Sequence, residues 1–87
     1  MDFRYNIGDR VQIVNLNTRG AEIVHVNQSM KLIAGHIRRV RARSYNSIDG
    51  INLYYLEGSS CVWAEDMLRP VEEVSLLDII QEGEVNG

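Results

Sequence analysis

The ten residues 61–70 (CVWAEDMLRP) decide the fold class of this chain. Residues 61–64 are mostly strand formers and predict a short strand. Residues 65–68 are too few for an α-helix between two strands, so they predict a single 3₁₀ turn. Residues 69–73 predict an edge strand, because an edge tolerates Pro70. Two short strands around one tight turn are typical of a small antiparallel β domain.

Turn residues and alternating apolar residues mark three further strands upstream. They are predicted at 9–15, 35–43 and 51–56. The first follows the Gly8-Asp9 turn and alternates polar with apolar residues, as a strand with one solvated face should. The loop 44–50 separates the other two, and its Asp49-Gly50 pair is suited to a tight hairpin turn. Such short connections imply antiparallel neighbours.

The segment between the first two of these strands predicts one more extended piece and a short helix. Residues 21–26 are rich in β-branched side chains, which favours a short strand or extended arm. Asn27 is suited to cap a helix and Gly35 to follow its end, so one or two helical turns are predicted at 28–34.

Arginine and apolar residues alternate along the strand predicted at 35–43. The alternation places Val40 and Ala42 toward the core, and it places three arginines outward on one face, namely Arg39, Arg41 and Arg43. Ile37 is out of phase with this pattern. A β-bulge near Arg38-Arg39 would return Ile37 to the core side, and such a bulge is expected here.

Five short antiparallel strands in some 70 residues predict a mainly β domain that closes as a small barrel, since closure removes exposed edges. The barrel is assigned to residues 1–73 and includes the short helical insert. The tail at 74–87 is assigned a short amphipathic helix with Ser75 as its cap. Its apolar stripe consists of Leu76, Leu77, Ile79 and Ile80. That stripe predicts either a lid over the barrel or a contact in a homodimer.

Length and composition indicate one small domain in a reducing compartment. The chain has 87 residues, and 45% of them are hydrophobic, which suits a single core. Cys61 is the only cysteine, so no disulfide can form within the chain. The start of the sequence lacks the pattern of a signal peptide, and no stretch approaches about 20 apolar residues. A cytoplasmic location is therefore predicted.

Charge is distributed unevenly around the net value of −3. Residues 1–43 contain eight Lys or Arg and three Asp or Glu, whereas residues 44–87 contain Arg69 and nine Asp or Glu. Opposite charges on the two halves can attract each other across the fold, and they matter more for partners than the total does.

Four pieces of the sequence resemble the small SH3-like, KOW-like modules of bacteriophage and prophage proteins. The pieces are 5–13 (YNIGDRVQI), 30–35 (MKLIAG), 53–56 (LYYL) and 63–70 (WAEDMLRP). The last is the most specific, whereas residues 17–27 and the tail after Val71 do not match the pattern. The resemblance implies a five-stranded SH3-like barrel and a phage origin. It implies no shared activity, because such modules are mainly binding parts.

Two groups of residues are candidate binding sites. The arginines Arg38, Arg39, Arg41 and Arg43 could hold phosphates or a carboxylate-rich protein surface. They could equally be a solvated strand face paired with Glu57, Glu65 or Asp66. The rings of Tyr45, Tyr54, Tyr55 and Trp63 could form an aromatic groove. Tyr54 and Tyr55 must point to opposite faces, so only one of them can be inside, and Trp63 is predicted to pack with an exposed edge.

No residue pattern predicts catalysis, a cofactor or a metal. His25, His36 and Cys61 do not have the spacing of a zinc site. Cys61 is predicted to be a small buried hydrophobe, and the acids at turns are predicted to be cap residues. Phosphate loops and nucleophile triads are not readable in the sequence.

Two functions remain open at this point. The first is a phage-encoded module that binds a host or viral protein, for example as a stoichiometric inhibitor of a defence system in the manner of an anti-CRISPR protein. The second is a nucleic-acid-binding barrel that uses the Arg38 to Arg43 strand with Tyr45 and Tyr54. The acidic pI of about 5.2 argues against the second.

Overall fold

The computed structural model describes residues 2–71. Its elements are β1 (Arg10–Ile13), α1 (Arg19–Val24), α2 (Gln28–Leu32), β2 (Ile37–Asn46), β3 (Ile51–Leu56), β4 (Val62–Ala64), a 3₁₀ turn (Glu65–Met67) and β5 (Leu68–Pro70). The predicted β character and the helical turns after Asn27 are confirmed. The predicted tail helix and its lid or dimer contact lie outside the described residues.

The five strands form one antiparallel sheet in the order β4-β3-β2-β1-β5. The long strand β2 belongs to both halves of the sheet, because its first residues pair with β1 and the residues from Val40 onward pair with β3. The sheet does not close, so the predicted closed barrel is wrong. Its edge strands β4 and β5 have only three residues each and are joined through the 3₁₀ turn rather than by a ladder.

A bulge in β2 sets the direction of every side chain that follows it. The register shifts between Val40, which is opposite Leu56, and Ala42, which is opposite Tyr55. The bulge is therefore later than the position predicted near Arg38-Arg39. Ile37 consequently keeps its outward phase opposite Gln12 and is 39% exposed, so its predicted return to the core is wrong.

The segment predicted as a strand at 21–26 is largely the helix α1. Thr18 caps it by accepting a hydrogen bond from the Ala21 amide at 3.0 Å. Asp66, from the 3₁₀ turn, accepts from Thr18 Oγ1 at 2.7 Å and from the Gly20 amide at 3.0 Å. A side chain at Gly20 would place its Cβ 2.3 Å from Ala64 Cβ, so only glycine lets α1 approach β4 this closely.

The core contains the rings of Tyr54, Trp63 and Tyr5, which are packed among aliphatic side chains from every strand. The N-terminal segment covers one side of this core. Tyr5 lies edge-on to Tyr54 at 5.3 Å between ring centroids, and its hydroxyl donates to the Leu68 carbonyl at 3.1 Å. Within residues 2–71, no helix is long and apolar enough to span a bilayer.

Candidate functional site

The bulge divides the predicted row of outward arginines between two faces of the sheet. Residues directly opposite each other on paired strands share a face. Arg43 is opposite the buried Tyr54, whereas Arg41 lies over the ring of Tyr55 at 5.4 Å from the centroid. Arg43 Nη1 donates to the Tyr5 carbonyl at 3.2 Å, and its guanidinium lies 4.6 Å from the Phe3 centroid. The expectation that Arg43 shares a face with Arg39 and Arg41 is thus wrong, and its contacts hold the N-terminal segment.

Two shallow depressions meet at Ile37 on the outer face of β1, β2 and β5. One, of about 260 Å³, is lined by Arg10, Ile37, Arg38, Arg39 and Glu57. Arg38 is opposite the buried Val11, so its side chain points away from the face that Ile37 shares with Gln12. The other, of about 440 Å³, is lined by Gln12, Ile37, Arg69, Pro70 and Val71. We call the two together the arginine groove. Its floor is apolar at the exposed Ile37, and its rim is mainly cationic.

The electrostatics of the arginine groove favour an anionic occupant. Arg10 is directly opposite Arg39 in the ladder, and like charges in that position repel. Among residues 2–71, no carboxylate is within ion-pair distance of Arg10, Arg38 or Arg41. The predicted pairing with Glu57, Glu65 or Asp66 is therefore not formed by Arg38 or Arg41. An external carboxylate or phosphate would be attracted to Arg10.

Neutral groups hold several of these guanidinium groups in place. Arg38 donates to the Ile37 carbonyl and to His36 Nδ1, both at 3.1 Å. Arg39 Nη1 donates to the Gly8 carbonyl at 2.8 Å. Arg69 donates twice to Gln12 Oε1, at 2.9 and 2.6 Å. Hydrogen bonds of this kind orient a guanidinium without neutralising it.

The four aromatic residues do not form the predicted groove. Tyr54 and Trp63 are both 0% exposed, so neither ring can touch a partner. Trp63 has no exposed edge, and its indole Nε1 donates to Ser59 Oγ at 3.2 Å. Tyr55 is half-buried beneath Arg41, as expected from its opposite phase to Tyr54. Tyr45 is 39% exposed and pairs with Asn52 toward the far end of β2.

The members of the arginine groove that sequence reasoning missed include Arg10, Ile37 and Arg69. A signal existed for Arg10, because it is in the polar phase of β1 next to the Gly8-Asp9 turn. No local signal places Arg69 beside Ile37, since that depends on β5 pairing with β1 and β1 pairing with β2.

A second cluster surrounds the carboxylate of Glu65 beneath the N-terminal segment. Its Oε2 accepts hydrogen bonds from Tyr54 Oη, from Asn52 Nδ2 at 3.0 Å and from the Arg4 amide at 3.1 Å. Burial alone would raise the pKa of Glu65, but these three donors outweigh it and lower the pKa. Burial, reinforced by the bond to Glu65, raises the pKa of Tyr54 above its ordinary value. This network connects the N-terminal segment and β3 to the 3₁₀ turn.

The network predicts a stability profile that falls at both ends of the pH range. Glu65 has a lowered pKa in the fold, so its contribution is present above the unfolded value of about 4.3 and is lost as the pH falls below it. Tyr54 has a raised pKa, so its contribution is present below about pH 10 and is lost as the pH rises further. Denaturant unfolding across pH should show both losses. Glu65→Gln should flatten the acid loss, and an unchanged acid loss in this variant would refute the assignment.

The remaining polar residues do not assemble a metal or nucleophile site in the described part of the chain. No group of three or more His, Cys, Asp or Glu side chains is placed to hold a metal among residues 2–71. Cys61 is half-buried, and its sulfur is 3.8 Å from the Asn27 side chain. The carboxylate of Asp66 accepts hydrogen bonds from Thr18 and Gly20 at the start of α1.

The arginine groove is therefore the strongest candidate site in the described part of the chain. Comparison of the chain with protein-family models, with curated proteins and with solved structures gives no match.

Proposed function

We propose that this chain is a non-catalytic binding module that recognises an acidic surface on another protein through the arginine groove. The observation that carries the proposal is the set of cations around the exposed Ile37, of which Arg10 and Arg69 have no carboxylate partner among residues 2–71. Guanidinium groups bind carboxylates through paired hydrogen bonds, and Ile37 offers an apolar contact between them. The groove thus suits a protein segment in which acidic and apolar residues are mixed.

The finer part of the proposal is an SH3-like module encoded by a phage. Its support is the resemblance in sequence, together with a sheet in which β2 is shared by two halves and a 3₁₀ turn precedes the last strand. A small domain that binds tightly can block a larger machine by occupying one surface. Stoichiometric inhibition of a host defence protein, in the manner of an anti-CRISPR protein, is the biological role that we propose.

Nucleic-acid binding is the alternative, and one observation favours it. The acidic pI belongs to the whole chain, whereas residues 2–71 contain nine Lys or Arg and seven Asp or Glu. The groove lacks the exposed aromatic faces on which bases stack, because Tyr54 and Trp63 are buried and Arg41 covers Tyr55. An apolar floor at Ile37 also suits a protein better than a phosphate backbone. We therefore favour a protein partner.

A pull-down from bacterial lysate distinguishes the two functions. The tagged full chain should retain one protein in stoichiometric amount after nuclease treatment, because protein recognition does not need nucleic acid. Raised salt should weaken this retention only partly, since the apolar contact at Ile37 is not screened. Recovery of nucleic acid alone, lost with nuclease or moderate salt, would overturn the proposal in favour of the alternative.

A further inference from the structure

A chain of hydrogen bonds crosses the outer face of β1 and ends at Arg69 on β5. Gln12 is directly opposite both Ile37 and Arg69, so the three side chains share one face and line the larger depression of the arginine groove. We propose that Arg69 binds a side-chain carboxylate of the partner protein and that Gln12 is its positioning residue. This inference rests on the proposed function, because it names the contact by which the groove recognises its partner.

Gln12 holds the guanidinium of Arg69 in one orientation. The Gln12 Nε2 donates to the Gly35 carbonyl at 3.0 Å, which fixes the rotation of the side-chain amide. The Gln12 Oε1 on the other side of that amide accepts from Arg69 Nε at 2.9 Å and from Nη2 at 2.6 Å. Gln12 is half-buried and Arg69 is exposed, so a well-anchored neutral group holds a cation that solvent can reach.

The two bonds to Gln12 use one edge of the guanidinium and leave a second edge open. A guanidinium has five N–H donors, and the parallel pair on Nε and Nη2 is directed at Gln12 Oε1. Arg69 makes no other hydrogen bond within residues 2–71, so the parallel pair on Nη1 and Nη2 has no acceptor there. A carboxylate binds such a pair through two parallel hydrogen bonds. Arg69 can therefore bind a carboxylate and keep both bonds to Gln12.

Orientation before binding strengthens the contact that Arg69 can make. An arginine side chain has many rotamers, and binding costs the freedom that the side chain still has. The bonds to Gln12 have already removed part of that freedom, so less is lost when a carboxylate arrives. The acceptor is a neutral amide, which orients the guanidinium without supplying a negative charge of its own.

The surroundings of Arg69 define what lies next to the partner's carboxylate. Ile37 is 39% exposed, and Pro70 and Val71 line the same depression. An aliphatic side chain beside the carboxylate would contact this apolar surface and remove it from water. The ligand is thus an aspartate or glutamate side chain of the partner protein with an aliphatic residue next to it.

An NMR titration of the full ¹⁵N-labelled chain tests this contact with a defined probe. The probe is a tripeptide blocked at both ends, with a glutamate between two leucines. We expect it to shift the Nε–H signal of Arg69 and the backbone amide of Ile37 saturably. The same peptide with glutamine in place of glutamate should bind at least about 10-fold more weakly, because it lacks the charge. Equal binding of both peptides, or no shift at Arg69 up to the solubility limit, would overturn the proposal.

Two substitutions separate orientation from charge. Arg69→Lys keeps the charge and loses the parallel donors, so it should weaken binding of the glutamate peptide at least about 5-fold. Gln12→Leu removes the acceptor, so it should weaken binding about 3-fold and speed exchange of the Arg69 Nε proton with water. A purely structural role of Gln12 would not change that exchange.

The matched control is Arg19→Lys on α1, which makes the same change at an arginine outside the groove and should leave binding unchanged. Parent affinity in Arg69→Lys would overturn the role of Arg69, and parent affinity in Gln12→Leu would overturn the role of Gln12. This test and the pull-down fail separately. A chain that binds the peptide through Arg69 but captures no protein would support the carboxylate contact and overturn the proposed function.

Discussion

Tyr54→Ala is expected to lower the free energy of unfolding by about 3–5 kcal/mol, the range for removal of a buried aromatic ring. Tyr55→Ala, one residue further along β3, is expected to cost less than about 1 kcal/mol. The contrast arises because neighbours on a strand point to opposite faces. Tyr54 is 0% exposed in the core, whereas Tyr55 is half-buried beneath Arg41.

The loss of unfolding free energy in Tyr54→Ala has causes beyond the cavity that the substitution leaves. Its ring contacts Phe3 and Tyr5 edge-on, at 6.0 and 5.3 Å between centroids, so its removal loosens the N-terminal segment. Its hydroxyl donates to Glu65 and accepts from the Tyr5 amide at 3.3 Å. Both partners would be left without it, and an unpaired buried polar group is costly.

Chemical denaturation of the two variants and of the parent chain measures this contrast. Tyr54→Phe separates the contribution of ring packing from that of the hydroxyl hydrogen bonds, because it keeps the ring and removes only the hydroxyl. Its loss of unfolding free energy is expected to lie between those of Tyr55→Ala and Tyr54→Ala. Equal stability losses for Tyr54→Ala and Tyr55→Ala would contradict the placement of these two rings on opposite faces.

The strands were predictable because they depend on local patterns. Alternation after Gly8-Asp9, the Asp49-Gly50 turn and the sequence of 61–70 each act within a few residues. The strands β1 to β5 and the 3₁₀ turn are accordingly found close to their predicted positions. The capping role of Asn27 is local too, and its side chain accepts from the Met30 amide.

The helix α1 was not predictable from its own residues. Ile23 and Val24 favour strands, but the start of the helix is held by Asp66, which is 48 residues away from Thr18 in the sequence. Close approach to Ala64 further requires glycine at position 20. Contacts that distant override a weak local preference.

The candidate site was predictable only in part, and the position of one bulge explains why. A shift of a single residue in β2 moves every later side chain to the other face. With the bulge after Val40, Arg43 turns toward Tyr5 and Phe3, and Ile37 remains outside. The arginines were visible in the sequence, but their division between two faces was not.

Charge reversal of the arginine groove is the second large effect that we expect. Arg39→Glu with Arg69→Glu should weaken binding of the protein captured in the pull-down by at least about 100-fold, because like charges across an interface cost several kcal/mol. Both side chains are exposed, so the fold should be retained. Unfolding of the double variant by denaturant provides the check on stability.

Titration calorimetry of the captured protein against the parent chain, the groove variant and a control variant shows whether the arginine groove binds that protein. The matched control is Arg19→Glu with Lys31→Glu, which makes the same change in net charge on α1 and α2, away from the groove. We expect a loss in affinity of at least about 100-fold for the groove variant and of less than about 5-fold for the control. Equal losses in both variants, or full affinity in the groove variant, would contradict the claim that the arginine groove is the binding site.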